Sequence, residues 1–362
     1  MALDQQGSGV AVSWGVLSAQ TSVRTVTLEN ELVSVVVLPD KGADVYALRY
    51  KPHGDLDVLW KAPWGQRTPG TVLNCPATSE MAWMDYYGGG WQDILPSGGG
   101  PCIYQGVEMP FHGEVSMLPW ECAVVSTGPT LAEIALRVRT HRLPLAVRRT
   151  IAVEVGVPAL RVHEQITNEG GDDIELMWGQ HLAFGAPFLS DHCWLDIPAT
   201  TFLAHDPALG PTSRLRGGDR FAWPHGARDH AGRSLELRRV PAPSQAVADY
   251  GYLLDLRDGW YTLYNEELDL GVRVSWPSEV FSCVVVARTA RVEWLPVASP
   301  LLCDGRRAVY KPPRQRPGLG DQGRHGPTPR RRRHPERGVQ RRLLRARRPT
   351  TSLTPVSLSG PD

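Results

Sequence analysis

Apolar and polar residues alternate with a period of two over most of the first 290 residues, the spacing of half-buried β-strands. Residues 23–28 (VRTVTL) begin the pattern, Glu29 and Asn30 interrupt it, and residues 32–38 (LVSVVVL) resume it. Pro39, Asp40, Lys41 and Gly42 read as a turn, and 43–50 as a third strand. The pattern returns at 130–141, 145–155 and 159–167, and the breaks at 142–144, 156–158 and 168–172 each hold Pro or Gly. Strands at 174–184, 193–197, 250–256, 260–264, 270–276 and 280–286 complete the series. No segment carries a convincing amphipathic helix. Many strands joined by short turns, with no helices between them, predict an all-β fold built as a large antiparallel sandwich.

Three stretches depart from this pattern. Residues 61–110 are rich in Gly, Pro, Trp and Tyr with weak periodicity, and an irregular stretch of that length in a compact domain is more often functional than idle. Residues 199–248 read as a long Pro-rich insertion. From about residue 287 the character changes altogether. Residues 291–362 hold 17 of the 39 Lys and Arg but 5 of the 38 Asp and Glu, which leaves the first 290 residues at −11. The runs at 312–317 and 329–335 have almost no β-branched or aromatic residues and cannot bury enough surface to offset their chain entropy. The expected organisation is a β-sandwich domain over 1–290 and a disordered, Arg/Pro-rich basic tail over 291–362.

Composition narrows the class. At 362 residues and 42% hydrophobic, the chain can build a sizeable core. It has no run of about 18 apolar residues, so no membrane span is expected, and its first residues do not read as a signal peptide. The six cysteines are scattered with no CxxC pair, which suggests reduced thiols in a cytoplasmic protein, without a disulfide frame or a zinc site. No nucleotide-binding loop and no metal-spaced histidine cluster occurs, so neither a cofactor nor a metal is expected. The tail lacks interleaved aromatics and the body is acidic, which argues against a nucleic-acid partner. Oligomeric state is not legible.

Candidate chemistry gathers at two places. Gly88, Gly89, Gly90, Trp91, Gln92 and Asp93 precede Phe111, His112, Gly113 and Glu114; later come Trp178, Gln180 and His181. A tryptophan beside an amide and a carboxylate suits a sugar, whose CH face stacks on the ring while its hydroxyls take hydrogen bonds. Trp178, Gln180 and His181 are expected to face one side of a strand. The plainer alternatives are a loop histidine bonded to backbone for His112, a satisfied core histidine for His181, and a turn held by Asp93.

These motifs, in this order, resemble the aldose 1-epimerase (galactose mutarotase-like) superfamily over residues 20–286. The residues that carry the likeness are Gly89 to Pro96, Phe111 to Glu114, Val162 to Asn168 and His181 to Phe184. The resemblance implies a β-supersandwich and cofactor-free interconversion of sugar anomers, with a small-molecule sugar as partner. It places His181 as acid and His112 as a polarising partner, with Trp91, Gln92, Asp93, Glu114, Trp178 and Gln180 lining the site. The family's base is a late glutamate before a proline, and this chain has no such motif. Residues 287–320, back-translated with free codon choice and shifted by one base, can yield a peptide with a Glu-Pro strand of that kind. The tail is therefore expected to be an out-of-frame reading, the alternative being a genuine basic tail; sequencing the source DNA decides. The competing function on the same scaffold is non-catalytic carbohydrate binding.

Overall fold

The computed structural model describes residues 9–71, 78–208, 210–289, 299–303, 350–352 and 356–359. Its strands fall into two large antiparallel sheets and one small hairpin. The larger sheet runs, in spatial order, through Ala11–Val16, Arg24–Glu29, Val33–Leu38, Asp44–Tyr50, Trp91–Ile94, Gly179–Leu182, Ser299–Cys303, Cys283–Thr289, Ala248–Leu254, Thr201–Ala204 and Arg220–Ala222. The second runs through Cys193–Asp196, Trp260–Asn265, Leu270–Ser275, Val356–Ser359, Ala159–Asn168, Leu145–Glu154, Leu131–Arg139 and Glu121–Thr127. The hairpin pairs Cys102–Tyr104 with Val107–Met109 just before the His112 loop.

The period of two explains the packing. In Leu131–Arg139 and Leu145–Glu154 alternate residues such as Ile134, Leu136, Val147 and Ile151 are buried, and they meet Val26, Val35 and Val37 of the other sheet in one continuous apolar core. The all-β antiparallel sandwich expected from the pattern is thus the fold observed. Three details differ. The Pro-rich stretch 199–248 carries two strands of the larger sheet, Thr201–Ala204 and Arg220–Ala222. One helix, Ser79–Tyr86, stands where none was expected. Cys283, expected as a free thiol, is disulfide-bonded, whereas Cys102, Cys122 and Cys193 are free.

The expected basic tail and its out-of-frame reading fall largely outside the described residues. Of 291–362, Ser299–Cys303, Thr350–Ser352 and Val356–Ser359 are described, each as a strand. The first lies between Gly179–Leu182 and Cys283–Thr289, the last between Leu270–Ser275 and Ala159–Asn168.

Candidate active site

The Gly-rich turn is required by close packing. Gly89 and Gly90 have φ of 98° and 82°, and a Cβ on Gly89 would run into the Trp60 carbonyl. This turn delivers the short strand Trp91–Ile94 between Asp44–Tyr50 and Gly179–Leu182. Cross-strand partners in an antiparallel pair point to the same face, so the pairs His181–Gln92 and Gln180–Asp93 emerge on opposite faces.

On the outer face, His181 and His112 come together with ring centroids 5.8 Å apart. His112 sits at φ 58° in the loop. Its Nδ1 accepts from the Gly99 N–H at 3.2 Å, and its own N–H donates to the Gly99 carbonyl. In the neutral ring the proton therefore sits on Nε2. The helix Ser79–Tyr86 supplies Trp83, edge-on to His112 at 4.7 Å and to His181 at 5.6 Å. Tyr87 follows at the helix end, and its hydroxyl meets His181 Nδ1 at 3.4 Å. Burial, reinforced by the nearby Asp44 carboxylate, pushes the Tyr87 phenol well up, so Tyr87 stays protonated and able to donate to His181 Nδ1; in the tautomer that accepts this bond the His181 proton sits on Nε2.

Both histidines are held neutral. Burial first, and the other ring second, push His112 well below the usual imidazole range. Burial likewise lowers His181 to about 4, and the Lys41 ammonium adds to the effect against a backbone hydrogen bond that opposes it. Lys41 belongs to a polar floor on this same face. Its Nζ lies 2.8 Å from Asp44 Oδ2, to which Gln92 Nε2 also donates at 2.7 Å. Burial raises the Asp44 carboxyl while Lys41 and Gln92 pull it down.

The other expected site residues lie elsewhere. Trp178 and Gln180 do not share a face with His181, because adjacent residues of a strand point to opposite sides. They turn into the core with Trp91 and Asp93. Gln180 Oε1 accepts from Trp91 Nε1 at 2.7 Å, and its Nε2 donates to Asp93 Oδ1 at 3.0 Å and to Glu164 Oε2 at 2.8 Å. Trp178 Nε1 also donates to Asp93 Oδ1, at 3.0 Å. Arg149 completes this buried network: its Nε pairs with Glu164, its Nη2 lies 3.3 Å from Asp93 Oδ2 off the hydrogen-bond direction, and its guanidinium sits 5.3 Å from the Trp120 ring centroid. Burial and the Glu164 charge raise Asp93 to about 8 against the pull of Arg149. Two carboxylates share one guanidinium, and a proton on Asp93 brings the cluster to neutrality. Glu114 is buried too, its carboxylate accepting from the backbone N–H groups of His141 and Arg142, both at 3.0 Å.

Trp83, Tyr87, Lys41 and Asp44 were not anticipated. Thr78 was a legible sign of the helix, since its side chain caps the Met81 N–H. Lys41 and Asp44 carried no sign beyond lying in and after a predicted turn. Among the described residues no group of three or more His, Cys, Asp or Glu could hold a metal ion. None of their helices is long and apolar enough to cross a membrane.

Solved structures share the fold. A candidate aldose 1-epimerase from Klebsiella pneumoniae aligns over 81% of this chain and 74% of its own, at 13% identity and a TM-score of 0.58. The Slr1438 protein from Synechocystis sp. PCC 6803 aligns over 78% of this chain and 86% of its own, at 17% identity and 0.56. A galactose mutarotase related enzyme from Lactobacillus acidophilus aligns over 77% and 85%, at 15% identity and 0.52. The fold is galactose mutarotase-like. No curated protein matches the sequence. The profile described as a domain of unknown function, DUF4432, matches residues 20–291, and the chain belongs to that family.

Proposed function

We propose that the chain takes a sugar at the His112–His181 cluster and interconverts its anomers, as an aldose 1-epimerase-like isomerase. The observation that carries this reading is the meeting of two histidines, one from a loop and one from a strand, 5.8 Å apart beside Trp83 and Tyr87. An aromatic wall suits the CH face of a sugar ring, and two N–H donors suit its oxygens. The fold shared with a candidate aldose 1-epimerase and a galactose mutarotase related enzyme supports it.

In the proposed reaction a base removes the proton of the C1 hydroxyl while His181, in the small imidazolium fraction that its lowered pKa leaves, gives its Nε2 proton to the ring oxygen and returns to the neutral ring. The bond from C1 to the ring oxygen breaks with its electron pair going to that oxygen, and C1 becomes a carbonyl. Rotation about the C1–C2 bond and the reverse steps give the other anomer. Tyr87 fixes the His181 tautomer, and His112 polarises the substrate through its Nε2–H. The base is unassigned: Glu114 is committed to backbone, and Asp44 is buried against Lys41 and Gln92.

A second reading, sugar binding without catalysis, draws on the lowered histidines. A ring with a pKa of about 4 is almost wholly neutral at pH 7 and offers a hydrogen bond rather than a proton. The test is proton NMR of freshly dissolved α-D-glucose or α-D-galactose. Faster anomerisation that disappears in His181→Ala supports the isomerase; saturable binding at the spontaneous rate supports the second reading; neither effect with either sugar sinks both.

A further inference from the structure

A second cluster of rings lies on the outer face of the larger sheet. Its position follows from strand register. His181 pairs with Leu301, Leu301 with Val285, and Val285 with Tyr252. Paired residues in antiparallel strands share a face, so Tyr252 emerges on the side of the sheet that carries His181. Three strand steps of about 4.8 Å separate the two positions, roughly 14 Å in all. Tyr250, two residues earlier, shares that face, while Asp249 and Leu253 turn inward and are buried.

The cluster is well formed. His205 Nδ1 and the Tyr252 hydroxyl lie 2.6 Å apart. The Tyr250 ring stands edge-on to both, with centroids 4.8 Å from His205 and 5.9 Å from Tyr252. All three side chains are half-buried, neither sealed in the core nor free in solvent. Burial raises both phenols, Tyr252 to about 12, so both remain protonated at neutral pH. Two rings held at an angle, with phenol and imidazole groups at their edges, match a sugar ring: apolar on its CH face and ringed with hydroxyls. Because the rings brace one another, little side-chain freedom is left to lose on binding.

We propose that His205, Tyr250 and Tyr252 form a second, distal subsite for carbohydrate, so that this face takes an oligosaccharide with its reducing end at His181. A single ring cannot reach both ends of a span of roughly 14 Å. The inference rests on the reading of the His112–His181 cluster as a sugar site and adds the length of the ligand.

The test compares D-glucose with maltotriose, and D-galactose with a β-1,4-linked galactotriose, by isothermal titration against the wild-type chain, Tyr250→Ala and Tyr250→Phe. The expected result is that one trisaccharide binds at least tenfold tighter than its monosaccharide. Tyr250→Ala removes that gain and leaves the monosaccharide affinity unchanged, while Tyr250→Phe keeps most of it through the retained ring. Equal affinity of trisaccharide and monosaccharide in the wild type overturns the proposal, as does a gain that survives in Tyr250→Ala. A Tyr250→Ala protein that no longer melts cooperatively is set aside, and Tyr252→Phe decides instead. That variant deletes the hydroxyl bonded to His205, and a trisaccharide gain undiminished in it overturns the subsite. Monosaccharide anomerisation, followed separately, keeps the two readings apart. Catalysis without a trisaccharide gain defeats the subsite alone; a trisaccharide gain without catalysis defeats the isomerase alone.

Discussion

Gln180 and His181 are neighbours in sequence and opposites in space. Gln180 points into the core, tied to Trp91, Asp93 and Glu164, while His181 points outward to Tyr87. Substitution of the two should therefore separate stability from function. Gln180→Leu leaves an indole N–H and carboxylate oxygens short of partners in the core and is expected to cost about 2–4 kcal/mol. His181→Ala should cost less than about 1 kcal/mol yet abolish sugar-dependent signals. Urea midpoints of the two variants measure the contrast; equal losses would refute the assignment of faces.

Arg149 is the cation of the core network, balancing the Glu164 carboxylate beside a protonated Asp93. Removing one partner of a buried ion pair leaves charge uncompensated, so Arg149→Met is expected to lose about 3–5 kcal/mol. Adding Glu164→Gln to that variant should recover part of the loss. Chemical denaturation of the single and double variants checks this.

The pH dependence of stability follows from two groups shifted in opposite ways. Asp93 is raised to about 8 in the folded chain, so the folded state holds a proton that the unfolded chain releases near its ordinary carboxylate range. Its contribution is fully present below that range and is lost as pH rises through about 8. Asp93→Asn should flatten this decline, measured as melting temperature against pH. His181 behaves conversely: lowered to about 4, it favours the fold above the ordinary imidazole range, and that contribution is lost as pH falls toward 4. Its imidazole carbon-bound proton shift should stay that of a neutral ring down to about pH 5.

Tyr87→Phe tests the tautomer. It deletes the hydroxyl facing His181 Nδ1 while leaving the ring stacked on Trp83 at 4.7 Å. Nitrogen NMR should show the Nδ1-protonated form of His181 gaining population, and any anomerisation rate should fall about tenfold or more. An unchanged tautomer ratio would show that Tyr87 does not set it.

The sandwich was legible because strands with one buried face announce themselves by alternation, and Leu131–Arg139 and Leu145–Glu154 sit within two residues of their expected ends. His112 and His181 stood out as motifs, but no local pattern fixed their distance, which depends on a tight glycine turn and a short strand between two others. The expectation that Gln180 and His181 share a face failed against the strand period itself. The helix Ser79–Tyr86 was missed because its apolar residues form no stripe: Trp83 is buried while Met81 is exposed. Lys41 and Asp44, a buried ion pair, have no signature in a sequence where charge usually means solvent.

The strand bearing His181 is bonded on one side to Trp91–Ile94 and on the other to Ser299–Cys303. As the chain emerges during synthesis, the second neighbour arrives long after the first. Until then the backbone of Gly179 to His181 is an open edge, able to recruit a strand from another molecule. The site strand is thus the seam at which the two halves of the larger sheet are joined. Misfolding through that seam would silence His181 with every side chain of the cluster still in place.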